Sequence, residues 1–414
     1  MAAAESFAIS PLIDPDHYAA HGYPHELWTR LRREDPVHRV EQNPEMPFWA
    51  ITRHADIATI GKQPDKFLNG PTLTIRTEPQ PDDAMFPKTL IQMDPPRHGL
   101  YRKIVSKRFT PGALKRWHAD IERIGKEIVD DLLDIGDQGE VDFVEKVSAP
   151  LPIAVIAWLL GLPGSDWKLL FEWTNRTIGA GDPEYQQAGA DSSATARQAM
   201  VELFQYFAKL VEEKKKNPAD DLVTLFAHAE VNGEKLPIMD VLAYCLIIVV
   251  AGNETTRNAT SGGMLALAQH PAELAKIQKN PALLPSAIEE ILRWTSPIIH
   301  FARTTTRDVE IRGKRIRKGE QVALFYPSAN RDEEIFEEPF AFRVDRDPNR
   351  HLAFGIGEHF CAGAHVARLE LEVAFKSLLP RLVDLELAGP VSRLRSNLVG
   401  GIKHLPIRYK LRPA

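Results

Sequence analysis

Cys361 stands in a glycine-rich run, Phe354-Gly355-Ile356-Gly357-Glu358-His359-Phe360-Cys361-Ala362-Gly363, directly ahead of a stretch, residues 364–379, with helical composition and spacing. Gly355 and Gly357 permit positive φ in the turn and let backbone approach a flat group closely. Backbone N–H groups and the positive end of the following helix would then face the sulfur, which predicts a lowered thiol pKa. A thiolate held in this way suits the axial position of a haem iron, where its electron donation favours O–O cleavage over simple electron carriage. Taken alone, the same cysteine also reads as a small buried hydrophobe in a turn.

A second chemical segment follows an apolar run, residues 241–250, and reads Ala251-Gly252-Asn253-Glu254-Thr255-Thr256-Arg257-Asn258. The apolar run is too short to span a bilayer. The pattern predicts a long helix over about 240–268, interrupted near its middle by Gly252. Burying Glu254 and Thr255 in such a helix costs free energy unless they serve the chemistry. An i,i+3 pair of Glu254 with Arg257, with Thr255 bonding back to the helix, is the alternative. Two further pairs share helix faces: Glu290 with Arg293, and His98 with Arg102. A surface ion pair and solvated charge are their ordinary readings.

In identity and order these segments resemble the cytochrome P-450 superfamily, in its soluble bacterial form. The resemblance rests on Phe-x-x-Gly-x-x-x-Cys-x-Gly at 354–363, Glu-x-x-Arg at 290–293, Gly-x-Glu-Thr at 252–255 and His-x-x-x-Arg at 98–102, and it covers essentially the whole chain. It implies a mainly α fold with a minor β component, holding haem b (iron protoporphyrin IX) between the long central helix and the cysteine-bearing helix. Cys361 would be the iron ligand, in a loop with Phe354, Gly355, His359 and Gly363. His98, Arg102, Arg303 and His359 would pair with the propionates. Glu290, Arg293 and Arg346 would form a buried structural trio, while Thr255 and Glu254 would position water and relay protons to bound dioxygen.

The same resemblance places the substrate pocket at residues 70–91 and 171–185, at Ile247, Val250 and Ala251, at Ile298, Ile299 and His300, and at Leu398 and Val399. For His300 a satisfied core histidine is the stronger reading. Most of these positions are apolar, so an apolar terpenoid, sterol or fatty-acid type of substrate is expected. The loop at 179–183 is expected to cap the entrance and move. No flavin or nicotinamide segment is visible, so electrons would come from an iron-sulfur ferredoxin with its ferredoxin reductase, or else from a flavodoxin. A haem-thiolate peroxygenase and a non-enzymatic haem sensor are the rival functions.

Composition is compatible with this. The chain has 414 residues, 44% hydrophobic and 26% charged, which suits a large globular core. Residues meeting at one cofactor are drawn from His98 to Cys361, so 1–414 reads as one catalytic domain. Cys245 and Cys361 are the only cysteines. That excludes a disulfide framework and suits a reducing cytoplasm. Zinc-type Cys/His spacing, a signal peptide and a membrane anchor are not seen. Between Asp94 and Asp120 lie Arg97, Arg102, Lys103, Lys107, Arg108, Lys115 and Arg116 with no acidic residue, on a chain of net charge -5. An acidic chain without interleaved stacking aromatics argues against nucleic acid. The patch reads as a solvated face or as a docking surface for an acidic electron donor. Strands are predicted at 48–52, 319–326 and 405–410, with a hairpin at 309–314.

Overall fold

The long helix expected at the centre of the chain is the axis of the computed structural model, which describes residues 10–43, 46–77 and 87–412. It spans Ile238–Gln269 and is buried over most of its length, including Val241 to Leu246 and Asn253, Glu254 and Thr256 to Ser261. By length and apolar composition alone it could cross a membrane. Here its apolar surface is instead covered by the helices Pro150–Leu160, Trp167–Ile178, Ser192–Lys216, Leu284–Thr295 and Ala364–Leu378.

The interruption expected at Gly252 is absent: the α-helix runs through it unbroken. Gly252 has another use. A Cβ there would come within 3.0 Å of Ile156 Cδ1, so the glycine lets Pro150–Leu160 lie close against the central helix.

The β component is small and supports one side of the site. A five-stranded sheet has the order Val37–Val40, Phe48–Ile51, Gln321–Phe325, His300–Thr305, Phe67–Leu68, in which only Gln321–Phe325 and Phe48–Ile51 run parallel. The predicted hairpin pairs Val309–Ile311 with Lys314–Ile316 and turns at Gly313, φ +76°. Pro406–Leu411 closes a second sheet between Leu382–Leu387 and Gln138–Asp142. Alternation along His300–Thr305 divides its side chains. His300 rests on Phe325, while Phe301 on the opposite face meets Tyr326.

The loop at 179–183 is tied down rather than free. Asp182, 2% exposed, accepts from the Arg395 backbone N–H at 2.9 Å and from Lys403 Nζ at 2.9 Å, and the Arg395 guanidinium donates to the Gly181 carbonyl at 2.9 Å. A buried carboxylate with these partners holds the loop against the C-terminal hairpin in this structure.

Candidate active site

Cys361 is placed by its turn. Its N–H donates to the Phe354 carbonyl at 2.9 Å, closing a loop in which Gly355 and Gly357 have φ +69° and +78°. Gly357 is required by contact as well as by φ, because a Cβ would sit 2.0 Å from the Gly61 carbonyl oxygen. Gly363 caps the helix Ala364–Leu378. Arg368 on that helix lies over the Phe354 ring at 4.6 Å and donates to Glu289 at 2.6 Å. Burial raises the Glu289 pKa, but hydrogen bonds from Arg368 and His351 outweigh it and bring the carboxyl to about 2.

The thiol itself departs from the expected lowered pKa. Burial pushes it up, and the Gly363 backbone, Arg102 and Arg368 oppose this only in part. A coordinated metal would hold it as the thiolate. The Cys361 side chain nonetheless keeps accessible surface deep within the fold. It therefore faces an internal space.

Four nitrogen-bearing side chains gather beside that sulfur. The His98 and His359 rings stack at 3.9 Å and 30°, and neither ring nitrogen of the buried His98 has a hydrogen-bond partner. Glu358 lies 3.7 Å from His98 Nδ1. Arg102 donates to the Phe360 carbonyl at 2.6 Å and lies within electrostatic reach of Cys361. Buried Arg303 reaches the Tyr326 hydroxyl. Burial, then His98, Arg303 and Arg102, lower the His359 pKa to about 3, so all four groups are neighbours. Unpartnered buried donors around cationic groups call for anionic oxygens. A porphyrin with two propionates and an iron above Cys361 meets that demand.

Behind the cysteine loop the expected trio is present. Glu290 accepts from Arg293 Nε and Nη2, each at 2.7 Å, from Arg346 Nε at 3.0 Å, from the Arg343 N–H at 2.9 Å and from Asn349 Nδ2 at 3.1 Å. Arg293 and Arg346 spend their other donors on the carbonyls of Asn330, Pro339, Glu337, Glu338 and Ala341. One carboxylate thus knits the helix Leu284–Thr295 to the loop that leads into the Cys361 turn.

On the central helix, Ile247, Ala251 and Thr255 keep accessible surface at i, i+4 and i+8, with Ile248, Val250 and Gly252 beside them. These positions interrupt the burial of the helix at its middle. Thr255 Oγ1 donates to the Ala251 carbonyl at 2.8 Å. Glu254 is paired at 2.5 Å with Arg257, whose other arm donates to Asn175 Oδ1 at 2.9 Å. The local helical pairing is present in this structure. Burial still raises the Glu254 pKa against Arg257 and the neighbouring Asn258 amide, and both side-chain polar atoms of Asn253 lack hydrogen-bond partners among the described residues. Such unsatisfied buried atoms are suited to ordered water.

Of the other pocket candidates, Ile298 keeps accessible surface, but Ile299 and Val399 are packed out of reach at 0% and 2% exposure. Ile299 joins the apolar cluster of Trp28, Phe48 and Phe325 because it projects toward the sheet's outer face. Residues 78–86 of the expected pocket segment lie outside the described residues. The basic stretch is also thinner than its sequence suggested. Arg97 pairs with Asp240 at 2.9 Å and Arg108 with Asp220 at 2.5 Å, which leaves Lys103, Lys107, Lys115 and Arg116 exposed. Tyr326, Asn175 and Arg368 were not foreseen, since each acts through a partner distant in sequence.

The sequence profile of the cytochrome P-450 family matches residues 185–383. Cytochrome P-450-terp of Pseudomonas sp is 35% identical over 403 residues, covering 94% of this chain and 93% of the relative. The steroid C26-monooxygenase of Mycobacterium tuberculosis is 38% identical over 408 residues, covering 96% and 92%. The solved structure of Mycobacterium marinum cytochrome P-450 CYP268A2 in complex with pseudoionone superposes with a TM-score of 0.87 at 36% identity, covering 92% of this chain and 94% of that one.

Proposed function

Because the chain belongs to the cytochrome P-450 family and is a haem-binding monooxygenase of that family, we propose that it inserts one atom of O2 into a C–H bond of an apolar terpenoid, sterol or lipid, with electrons from an external ferredoxin. The observation that carries the substrate class is the apolar surface left accessible at Ile247, Val250 and Ala251 on the central helix. It offers hydrocarbon contact and few fixed polar anchors, so affinity would come from area removed from water. Relatives named for a steroid substrate and solved with pseudoionone support the same class. Lys103, Lys107, Lys115 and Arg116, with no ion-pair partner among the described residues, support docking of an acidic donor. One catalytic unit over 1–414 and a cytoplasmic setting belong to the same reading.

When bound, haem supplies oxygen activation through its thiolate-ligated iron. Cys361 would hold it from one side, and His98, Arg102, Arg303 and His359 would pair with its propionates. The Thr255 hydroxyl would exchange its bond to the Ala251 carbonyl for one to a water in the site, and so hold a proton there. Glu254 would pass protons after parting from Arg257, with the unpaired groups of Asn253 holding the intervening water. The apolar stripe keeps other water away from the reacting carbon.

Reducing the purified protein under carbon monoxide should give the displaced Soret absorption of a thiolate-ligated haem, and Cys361→Ser should abolish it. A Cys361→Ser spectrum identical to the parent's would remove the basis of the reading. Thr255→Ala should retain haem and substrate binding but lower product per electron pair consumed by about tenfold. Full coupling in that variant would reject the role given to Thr255.

A further inference from the structure

His300 is fully buried at the start of the strand His300–Thr305 and touches two segments far away in sequence. The Ile75 N–H donates to its Nε2 at 3.1 Å, and Asn397 Nδ2 donates to the Ile75 carbonyl at 3.1 Å. The ring also faces the Asn397 backbone, with Nδ1 making no close hydrogen bond among the described residues. A ring whose Nε2 accepts from an amide must carry its proton on Nδ1, so one neutral tautomer is selected. Burial pulls the imidazole pKa down to about 4, which keeps that tautomer at neutral pH.

The ring stands at the crossing of three strands of chain. Ala302 N–H donates to the Leu73 carbonyl at 2.7 Å, Ile299 N–H to the Leu398 carbonyl at 2.8 Å, and Ile298 bridges to Val399. Ile75 and Asn397 are 225 and more residues from their partners here, so no local propensity sets their registration. Backbone bonds hold each segment to the strand, and the triangle Ile75, His300 and Asn397 joins the first segment to the last. Phe325, 5.4 Å away and tilted 41°, supports the ring from below.

We infer that His300 is a positioning residue for the substrate pocket, clamping the Leu73–Ile75 chain to the Asn397–Val399 turn so that Ile298 and the Leu73–Ile75 chain form one fixed wall. The reading of the pocket as a substrate site is taken from the proposed function; the clamp itself is not. Without the imidazole acceptor, the buried Ile75 N–H loses its only partner and the segment can separate from the turn. A glutamine can accept the same hydrogen bond, whereas phenylalanine fills the space without accepting.

The test is hydrogen exchange of the haem-loaded protein over residues 73–75, together with spectral titration by 4-phenylimidazole as a probe of the pocket. In His300→Phe, exchange should rise by about tenfold or more and the probe's Kd should weaken by about tenfold, while His300→Gln stays within about threefold of the parent in both. Asn397→Ala, which removes the other edge of the triangle, should loosen the same amides with the ring in place. Unchanged exchange in His300→Phe or in Asn397→Ala, or equal loss in His300→Gln and His300→Phe, would overturn the clamp. Exchange is read without turnover, so absence of monooxygenase activity would defeat the functional proposal and leave this result standing.

Discussion

Glu290→Gln is expected to destabilise the protein by about 3–5 kcal/mol and to strip most of its haem during purification. The substitution is nearly isosteric, so no cavity term contributes. What changes is charge: Glu290 is the only carboxylate among the five donors that converge on it, and Arg293 and Arg346 are both buried there. With a neutral amide in its place, two guanidiniums are left facing each other in a low-dielectric region, held only by carbonyl dipoles. An amide can accept on one oxygen but must aim its own N–H groups at donors, so at least one hydrogen bond becomes a repulsive contact. The loop from Asn330 to Asn349 would loosen, and with it the approach to the Cys361 turn. Denaturant unfolding followed by circular dichroism, alongside the haem-to-protein absorbance ratio, measures both effects. A loss below about 1 kcal/mol would class the trio with exposed ion pairs.

Glu370→Gln should do the opposite, and only above mildly acidic pH. Glu370 lies on the cysteine-bearing helix at 2% exposure, its Oε2 has no partner, and burial alone raises its pKa to about 8. The folded value therefore stands above the unfolded one of about 4.5. Below the unfolded pKa both states carry the proton and nothing is lost. Between about 4.5 and about 8 the folded protein binds a proton that the unfolded chain has released, so stability falls as pH rises, at a limit of about 1.4 kcal/mol per pH unit. Above the folded pKa the loss is complete and the curve levels. Glutamine has no such proton, so the variant should match the parent near pH 4.5 and exceed it by at least about 2 kcal/mol at pH 8. Parallel stability curves at pH 5 and pH 8 would show that Glu370 has a partner in solution.

The cysteine turn, the central helix, the Glu290 trio and the basic groups gathered around His359 were all legible from residue type and spacing, because each is anchored by a local motif. Corrections fell where a side chain has two possible partners or two possible faces. Glu254 had an inward role and a helical neighbour available to it, and it takes the neighbour, Arg257, in this structure. Gly252 fits a broken helix and a tight interhelical contact equally well in one dimension; the nearness of Ile156 decides for contact. Ile298 and Ile299 are equally apolar, but one opens on the internal space and the other joins the core. The seven cations from Arg97 to Arg116 looked continuous only because Asp220 and Asp240 lie more than a hundred residues further on.

The sequence by itself determined the cysteine turn, the helix that follows it, the family and the apolar composition of the central helix. These are short-range properties: a turn needs its glycines within a few residues, and an apolar helix declares itself in its own composition. Only the tertiary structure decided which charges are neutralised, that Asp182 pins the 179–183 loop, that the Cys361 thiol is held up by desolvation, and that His300 joins Ile75 to Asn397. Each depends on burial and on partners brought together from opposite ends of the chain, and electrostatic free energies are set by such surroundings rather than by the residue that carries the charge.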